Sequence, residues 1–234
     1  MSENKYILIT GTSKGIGENL SKTYLERNYK VIGCSRSGSN FDHKNYTHFK
    51  VDITDEKHVV NVFSKIRKMI DGKLYLINNA GVASMNHSLT TPGISVEKIL
   101  KTNVLGTFLF CREAAKIMKK NNFGRIVNLT SIATPLSLEG ESIYAASKSS
   151  INSLTKTLSK EFADFGITVN AIGPTPIDTN LIKNVPKDKI TNLISKLTLK
   201  RMGVFEDVSN VIDFYIKDES NYITGQTIYL GGVN

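Results

Sequence analysis

Short apolar, β-branched runs alternate with longer amphipathic stretches along almost the whole chain. Strand-like runs fall at residues 6–10, 30–34, 47–51, 74–78, 125–131, 168–173 and 227–230. Helical patterns occupy 15–28, 56–70, 96–121 and 143–164. Strands that read as continuous hydrophobic runs and are separated by helices require a parallel sheet covered on both faces. The expected fold is therefore α/β, a three-layer sandwich. No repeat and no linker divides the chain, so 1–234 is expected to form one domain. The polar stretch 37–45 reads as a surface loop. Residues 177–201 stand outside the alternation, after the sixth strand. Ligands bind at the carboxyl ends of such strands, so this insertion is expected to act as a substrate lid.

Composition narrows the class further. A chain of 234 residues, 40% hydrophobic and 22% charged, can bury a sizeable core without staples. Its apolar runs are far shorter than the ~20 residues of a membrane span. Residues 1–5 lack a secretory pattern, which points to a cytoplasmic home and no membrane partner. Cys34 and Cys111 read as core thiols. His43, His48, His58 and His87 form no ligand-spaced pair, so no structural metal is expected. The net charge of +9 is spread without a run of like charges and without a nucleic-acid motif. It reads as solvated helix faces rather than a nucleic-acid surface.

Two local patterns carry chemistry. The first strand runs into Gly11-Thr12-Ser13-Lys14-Gly15-Ile16-Gly17 and opens a helix. Glycines there let backbone N–H groups approach a pyrophosphate, and the helix N-terminus favours its charge. The second strand ends Gly33-Cys34-Ser35-Arg36, with no acid to hold a ribose 2′-hydroxyl. Arg36 and Lys14 can instead grip a 2′-phosphate, which favours NADP(H) over NAD(H). The second pattern is Tyr144 four residues before Lys148, with Ser131 upstream. Residues at i and i+4 share a helix face, so phenol and ammonium can share a site. A nearby cation lowers a phenol's pKa and suits it to general acid–base work. The Ser131 hydroxyl can hold the reacting oxygen.

Together these residues resemble the classical short-chain dehydrogenase/reductase family, over nearly the whole chain. The segment 10–17 resembles its glycine motif. Val51-Asp52-Ile53 resembles the adenine-contacting turn, and Asn78-Asn79-Ala80-Gly81 the element that ends the fourth strand. Asn103 falls where the family has its helix-kink asparagine. The resemblance implies a Rossmann-like seven-stranded parallel sheet and hydride transfer at a nicotinamide. It implies that Tyr144 gives a proton to a carbonyl, that Lys148 binds the nicotinamide ribose and lowers the phenol's pKa, and that Ser131 orients the carbonyl. Asn103 would hold a water that links Lys148 to solvent. Cofactor contact is implied for Gly11, Ser13, Lys14, Gly15, Ile16, Gly17, Ser35, Arg36, Asp52, Ile53, Asn79, Ala80, Gly81, Tyr144, Lys148, Pro174, Ile177 and Thr179.

Within the family, 222–232 and 124–128 look like the 3-oxoacyl-(acyl carrier protein) reductase subgroup. The implied substrate is a 3-oxoacyl thioester. Two departures point to a keto-sugar or another small polar ketone instead. The usual Pro-Gly after the sixth strand is Pro174-Thr175-Pro176, and the positions expected to carry carrier-docking arginines are Asn122 and Phe165. Glu139 and Glu141 are expected to face water. A dinucleotide-binding scaffold with idle chemistry is the other class, disfavoured because Tyr144 and Lys148 are both present. The family likeness implies a homotetramer through the helices at 96–121 and 143–164 and the last strand. Phe108, Phe110, Ile151, Leu154 and Leu158 are either its contacts or sheet-facing core.

Overall fold

The computed structural model describes residues 4–39, 41–179 and 185–233. Seven strands form one parallel sheet in the order β3-β2-β1-β4-β5-β6-β7. They are β1 (Lys5–Thr10), β2 (Lys30–Ser35), β3 (Tyr46–Lys50), β4 (Lys73–Asn78), β5 (Gly124–Leu129), β6 (Ile167–Gly173) and β7 (Thr227–Tyr229). The helices are α1 (Gly15–Glu26), α2 (Glu56–Met69), α3 (Gly93–Leu100), α4 (Gly106–Met118), α5 (Ala133–Leu136), α6 (Ser142–Glu161), α7 (Lys187–Ser195) and α8 (Phe205–Ile216).

Strand pleating sends alternate side chains to opposite faces. In β1, Tyr6 and Leu8 join the core under α2, α4 and α6, where Phe63, Phe110 and Leu158 are buried. Ile7 and Ile9 face the second core, under α1 and α8, with Tyr24, Ile212 and Tyr215. Thus each central strand is apolar on both faces, which is why its sequence reads as a continuous hydrophobic run.

The structure departs from the sequence expectation in several places. The helix expected over 96–121 begins at Gly93 and is interrupted by a π-helical segment at Lys101–Leu105, with a terminal 3₁₀ turn at Lys119–Asn121. Ser131 lies beyond the end of β5 rather than within it. Between β5 and α6, residues Ala133–Leu136 form the short helix α5. The helix α8 covers the α1 face and was not among the expected patterns. Part of the expected lid, 180–184, lies outside the described residues; what is described of it contains α7. No helix among the described residues is long and apolar enough to cross a membrane.

The crossover from β2 to β3 is unusual. Parallel neighbours are ordinarily joined through a helix, but among the described residues of 36–45 there is none. Phe41 folds back instead, edge-on to Tyr46, with ring centroids 4.9 Å apart. The Lys22 ammonium of α1 lies 5.7 Å from the Phe41 ring centre.

A buried polar ladder fixes α6 on the sheet. Asn78 Nδ2 donates to Asn128 Oδ1 at 2.8 Å across β4 and β5, and Asn128 Nδ2 donates to Thr155 Oγ1 at 3.0 Å. Asn128 and Thr155 are both fully buried. Asn128→Ala leaves the Asn78 amide with only the Cys111 sulfur as acceptor and removes the Thr155 hydroxyl's amide donor, so we expect a loss of about 1–3 kcal/mol in urea-unfolding free energy. An unchanged midpoint would contradict this role.

Candidate active site

The strand order reverses direction between β1 and β4, and the cleft at that switch point opens at the carboxyl ends of the strands. One wall is the turn from β1 into α1. Gly11 and Gly15 adopt φ of +76° and +63°, a region that favours glycine. Gly17 has no room for a Cβ against the Gly11 carbonyl oxygen. Lys14 sits at the N-cap of α1 without a side-chain capping bond, so the first backbone N–H groups stay available to an anion. Ser13 and Lys14 are exposed, whereas Ile16 leans on the second core. The facing wall is the segment after β6: a Cβ built on Gly15 would lie 3.6 Å from Thr179.

At the catalytic end, Lys148 is buried at 6% exposure, and its ammonium donates to the Leu129 carbonyl oxygen at 2.8 Å. The same stretch of α6 is held by Thr130 Oγ1, which donates to the Lys148 carbonyl at 3.0 Å. Helical spacing puts the Tyr144 ring over the same site, 5.9 Å from Lys148 Nζ. Ser131 sits just past β5, where its hydroxyl accepts the Ala133 N–H at 3.1 Å. Asn103 lies in the π-helical turn and is 1% exposed. Its side chain bridges to Val82 through both backbone groups, at 2.8 and 2.9 Å, and donates to Ser147 Oγ at 2.9 Å. A Cβ built on Gly81 would lie 3.3 Å from Asn103 Oδ1 and 3.5 Å from Lys148 Nζ, so these three converge. The π turn adds one residue to the helix, and such single turns recur at functional sites.

The electrostatics differ from the sequence expectation at one point. Burial pushes the Tyr144 phenol up to about 12; the Ser131 hydroxyl pulls it down and Glu141 pushes it further up. Lys148 contributes no lowering here, because burial draws its own pKa down to about 8 and its ammonium is directed at Leu129. Glu141 is a second correction. It does not face water but is part-buried beside Tyr144, its carboxyl raised by burial and drawn back by Lys189 of α7. Glu139 is exposed, as expected.

The remaining expected residues divide by position. Ser35, Arg36 and Asp52 gather at the far end of the cleft, with Arg36 exposed. The Asp52 carboxylate accepts from Thr54 N at 2.9 Å and Thr54 Oγ1 at 2.8 Å. The Thr54 backbone bond is the main reason its pKa is lowered, with Arg36 adding to it. Asn79 spends its amide on the Thr10 and Gly11 carbonyls, at 2.9 and 3.2 Å, tying β4 to the glycine turn, and Ala80 N donates to Thr10 Oγ1. Ile53 and Ile177 do not line the cleft with their side chains. Ile53 is packed under Gly106, and Ile177 is 4% exposed and bridged to Gly203. The Pro174 carbonyl accepts from Ile132 N at 3.4 Å, beside the catalytic segment. Thr175 turns its side chain away from the cleft, toward Gly203 and Gly231, which accommodate it by lacking a Cβ. A cavity of about 330 Å³ lies beside the catalytic group rather than at it, between Ser88, Thr134, Glu139 and Ser149. Sequence reasoning assigned no role to Thr12, although it lies inside the glycine motif, nor to Tyr46, His48 and Lys189, which lie outside any contiguous motif.

Comparison with known proteins agrees with this fold. The family model described as enoyl-(acyl carrier protein) reductase matches residues 11–234. A 3-oxoacyl-[acyl-carrier-protein] reductase of Escherichia coli is 30% identical over 236 residues, covering 98% of this chain and 97% of its own. The Rickettsia felis protein of the same name is 33% identical over 237 residues, covering 97% and 95%. Among solved structures, ElxO with NADP bound has a TM-score of 0.87 at 32% identity, covering 97% of both chains. A 4-hydroxyisoleucine dehydrogenase complexed with NADH has a TM-score of 0.88 at 27% identity, covering 99% of both. The chain belongs to the short-chain dehydrogenase/reductase family, with its likeness strongest to the 3-oxoacyl-(acyl carrier protein) reductases. It is an NAD(P)-dependent oxidoreductase acting on CH–OH and keto groups. The glycine turn, the uncapped α1 N-terminus and the facing Thr179 fit a dinucleotide's pyrophosphate.

Lys148 supplies a pH test. Its folded pKa of about 8 lies below the ordinary lysine value, so the folded state holds fewer protons than the unfolded state between the two. Stability from this group therefore rises with pH from about 8 toward about 10.4. Wild type should gain unfolding free energy over that window relative to Lys148→Met. Parallel pH curves for the two proteins would contradict the burial of a titrating ammonium.

Proposed function

We propose that the protein is an NADPH-linked reductase that interconverts a ketone and a secondary alcohol. The observation that carries this reading is the convergence of Ser131, Tyr144, Lys148 and Gly81 at the carboxyl end of β4 and β5. The dinucleotide supplies the hydride. Tyr144, neutral at physiological pH because it is raised to about 12, holds a proton for the carbonyl oxygen. Ser131 is close enough to Tyr144 to lower its pKa, and so to share the carbonyl oxygen with it. Lys148 holds charge beneath the site, at the height of Gly81, where it can donate to ribose hydroxyls. Asn103 keeps the 81–82 turn and Ser147 in register with that lysine.

Preference for NADPH is supported by an exposed Arg36 just after β2, by Lys14 in the glycine turn, and by the lack of an acid at the end of β2. The similar structure of ElxO holds NADP. For the substrate, a 3-oxoacyl thioester is favoured by the E. coli and Rickettsia relatives, which are named for that reaction. A keto-sugar or other small polar ketone is favoured by Glu141, a part-buried carboxylate beside Tyr144 that an acyl chain does not need. The aldohexose dehydrogenase of Thermoplasma acidophilum is also structurally similar, with a TM-score of 0.88 at 26% identity. The described part of the expected lid contains α7, which brings Lys189 toward Glu141 and Met85.

A homotetramer is part of the same reading. Leu100, Leu105 and Phe108 expose apolar surface along α3, the π turn and α4. Of the five apolar residues singled out in sequence, Phe110, Ile151 and Leu158 are buried core, Leu154 packs against it, and Phe108 alone faces outward.

Nicotinamide fluorescence titration, followed by turnover on a ketone panel, tests the proposal. NADPH should bind more tightly than NADH, and Arg36→Ala should weaken NADPH about tenfold or more while leaving NADH nearly unchanged. Tyr144→Phe should bind cofactor normally and lose about 10²–10⁴-fold in kcat. Equal binding of the two cofactors would overturn the NADPH assignment, and normal turnover in Tyr144→Phe would overturn the mechanism.

A further inference from the structure

The end of β2 and the glycine turn are tied together by side chains from β3. Tyr46 and His48 alternate with one residue between them, so both point to the same face of the edge strand. The Tyr46 hydroxyl lies 3.4 Å from Thr12 Oγ1 of the glycine turn and 3.0 Å from His48 Nδ1. His48 Nε2 lies 2.9 Å from the Ser37 carbonyl oxygen and 3.2 Å from Ser35 Oγ. Ser35 Oγ also donates to the Ser37 carbonyl, at 2.6 Å. A carbonyl only accepts, so His48 carries its proton on Nε2 and leaves Nδ1 to accept from Tyr46. Burial lowers the pKa of His48, which keeps the imidazole in that neutral form.

The chain of contacts occupies a prepared space. Gly33 is β2's point of closest approach to Tyr46: a Cβ there would collide with the Tyr46 hydroxyl and lie 2.8 Å from Thr12 Oγ1. The glycine turn is bonded to the same strand end, through Gly11 N and the Cys34 carbonyl at 2.7 Å. With no helix among the described residues of the β2–β3 crossover, the Ser37 carbonyl and the Phe41 ring attach it to side chains of β3, and the His43 carbonyl accepts from Tyr46 N at 2.9 Å. Arg36 sits between Ser35 and Ser37, the two residues that His48 holds.

We propose that Tyr46 and His48 are positioning residues for cofactor selection: they fix the backbone at 35–37 against the glycine turn, and thereby aim Arg36 at the 2′-phosphate of NADPH. This rests on the NADPH reading above and names the residues that make it geometric rather than merely electrostatic. A flexible arginine loses much of its advantage to the cost of ordering it, and a backbone fixed beforehand lowers that cost. Neither residue touches the reacting atoms, so the effect belongs to cofactor binding and not to chemistry.

The experiment measures Kd for NADPH and NADH in Tyr46→Phe, His48→Ala and His48→Gln, with kcat at saturating NADPH. Tyr46→Phe keeps the ring and its packing on Phe41. It should raise Kd for NADPH by about five- to tenfold, leave Kd for NADH within about twofold, and leave saturating kcat unchanged. His48→Ala should do the same, and His48→Gln, which keeps a donor for the Ser37 carbonyl, should recover most of the preference. Equal weakening of both cofactors would mean a general structural role and would overturn the proposal. Unchanged NADPH binding in both Tyr46→Phe and His48→Ala would also overturn it. Arg36→Ala, measured alongside, separates the two levels: if it leaves the NADPH/NADH ratio unchanged, the 2′-phosphate reading itself fails. If it collapses the ratio while the β3 variants do not, only the positioning role fails.

Discussion

The ammonium of Lys148 is buried and bonded to a main-chain carbonyl, and the elements around it are arranged to hold it there. Removing a charge from water costs free energy unless compensating groups are in place. The Leu129 carbonyl supplies one. Thr130 grips the same turn of α6, and the Asn78–Asn128–Thr155 ladder fixes the helix two turns further on. The π turn brings Asn103 to the other side, where it locks Val82 and Ser147. Moving any one of these would shift Lys148, Tyr144 and Gly81 relative to one another. Sheet, helix and turn therefore meet at a point of high electrostatic cost, as expected where proton chemistry is performed.

The two ends of the cleft solve different problems. At the catalytic end, burial separates the pKa values of phenol and ammonium from their ordinary positions, up for one and down for the other. That keeps Tyr144 protonated and lets Lys148 respond to small changes around it. The far end of the cleft, at Arg36 and Asp52, is more open. There Arg36 is exposed, Asp52 is committed to its own turn, and the backbone is shaped by hydroxyl and imidazole contacts from β3. Position matters more than burial at that end, because a phosphate is recognised by the direction of its donors.

Much of this was legible in the sequence, for physical reasons. Doubly buried strands such as residues 6–10 leave an unbroken apolar run, and the i, i+4 spacing of Tyr144 and Lys148 survives folding because a helix preserves it. The glycine turn reads correctly because its special backbone demands glycine locally. What was not legible depends on register and on distant packing. Nothing near Asn103 announces that the helix takes a π turn there. The direction of Lys148's ammonium follows from where β5 ends, so burial and Ser131, not that lysine, shift the Tyr144 phenol. Glu141 reads as a surface acid until α6, Met85 and α7 are placed around it. Thr175 reads as a departure from the usual Pro-Gly, and Gly203 and Gly231 far along the chain receive its side chain. Tyr46 and His48 look like ordinary edge-strand residues until β3 is paired beside β2.

The central claim is that Tyr144 is a proton donor held neutral by burial, whose titration is set by what lies above Lys148. Carbon-13 NMR of protein labelled at tyrosine Cζ, with Tyr144 assigned by its loss in Tyr144→Phe, measures this directly. A pH titration of the free protein should show no ionisation of Tyr144 through pH 10, given a pKa of about 12. Saturation with NADP⁺ brings a cationic ring to the site, and the same titration should then move well below that value. A Tyr144 signal that titrates near 10 in the free protein, or that is unmoved by the cofactor, would contradict the account.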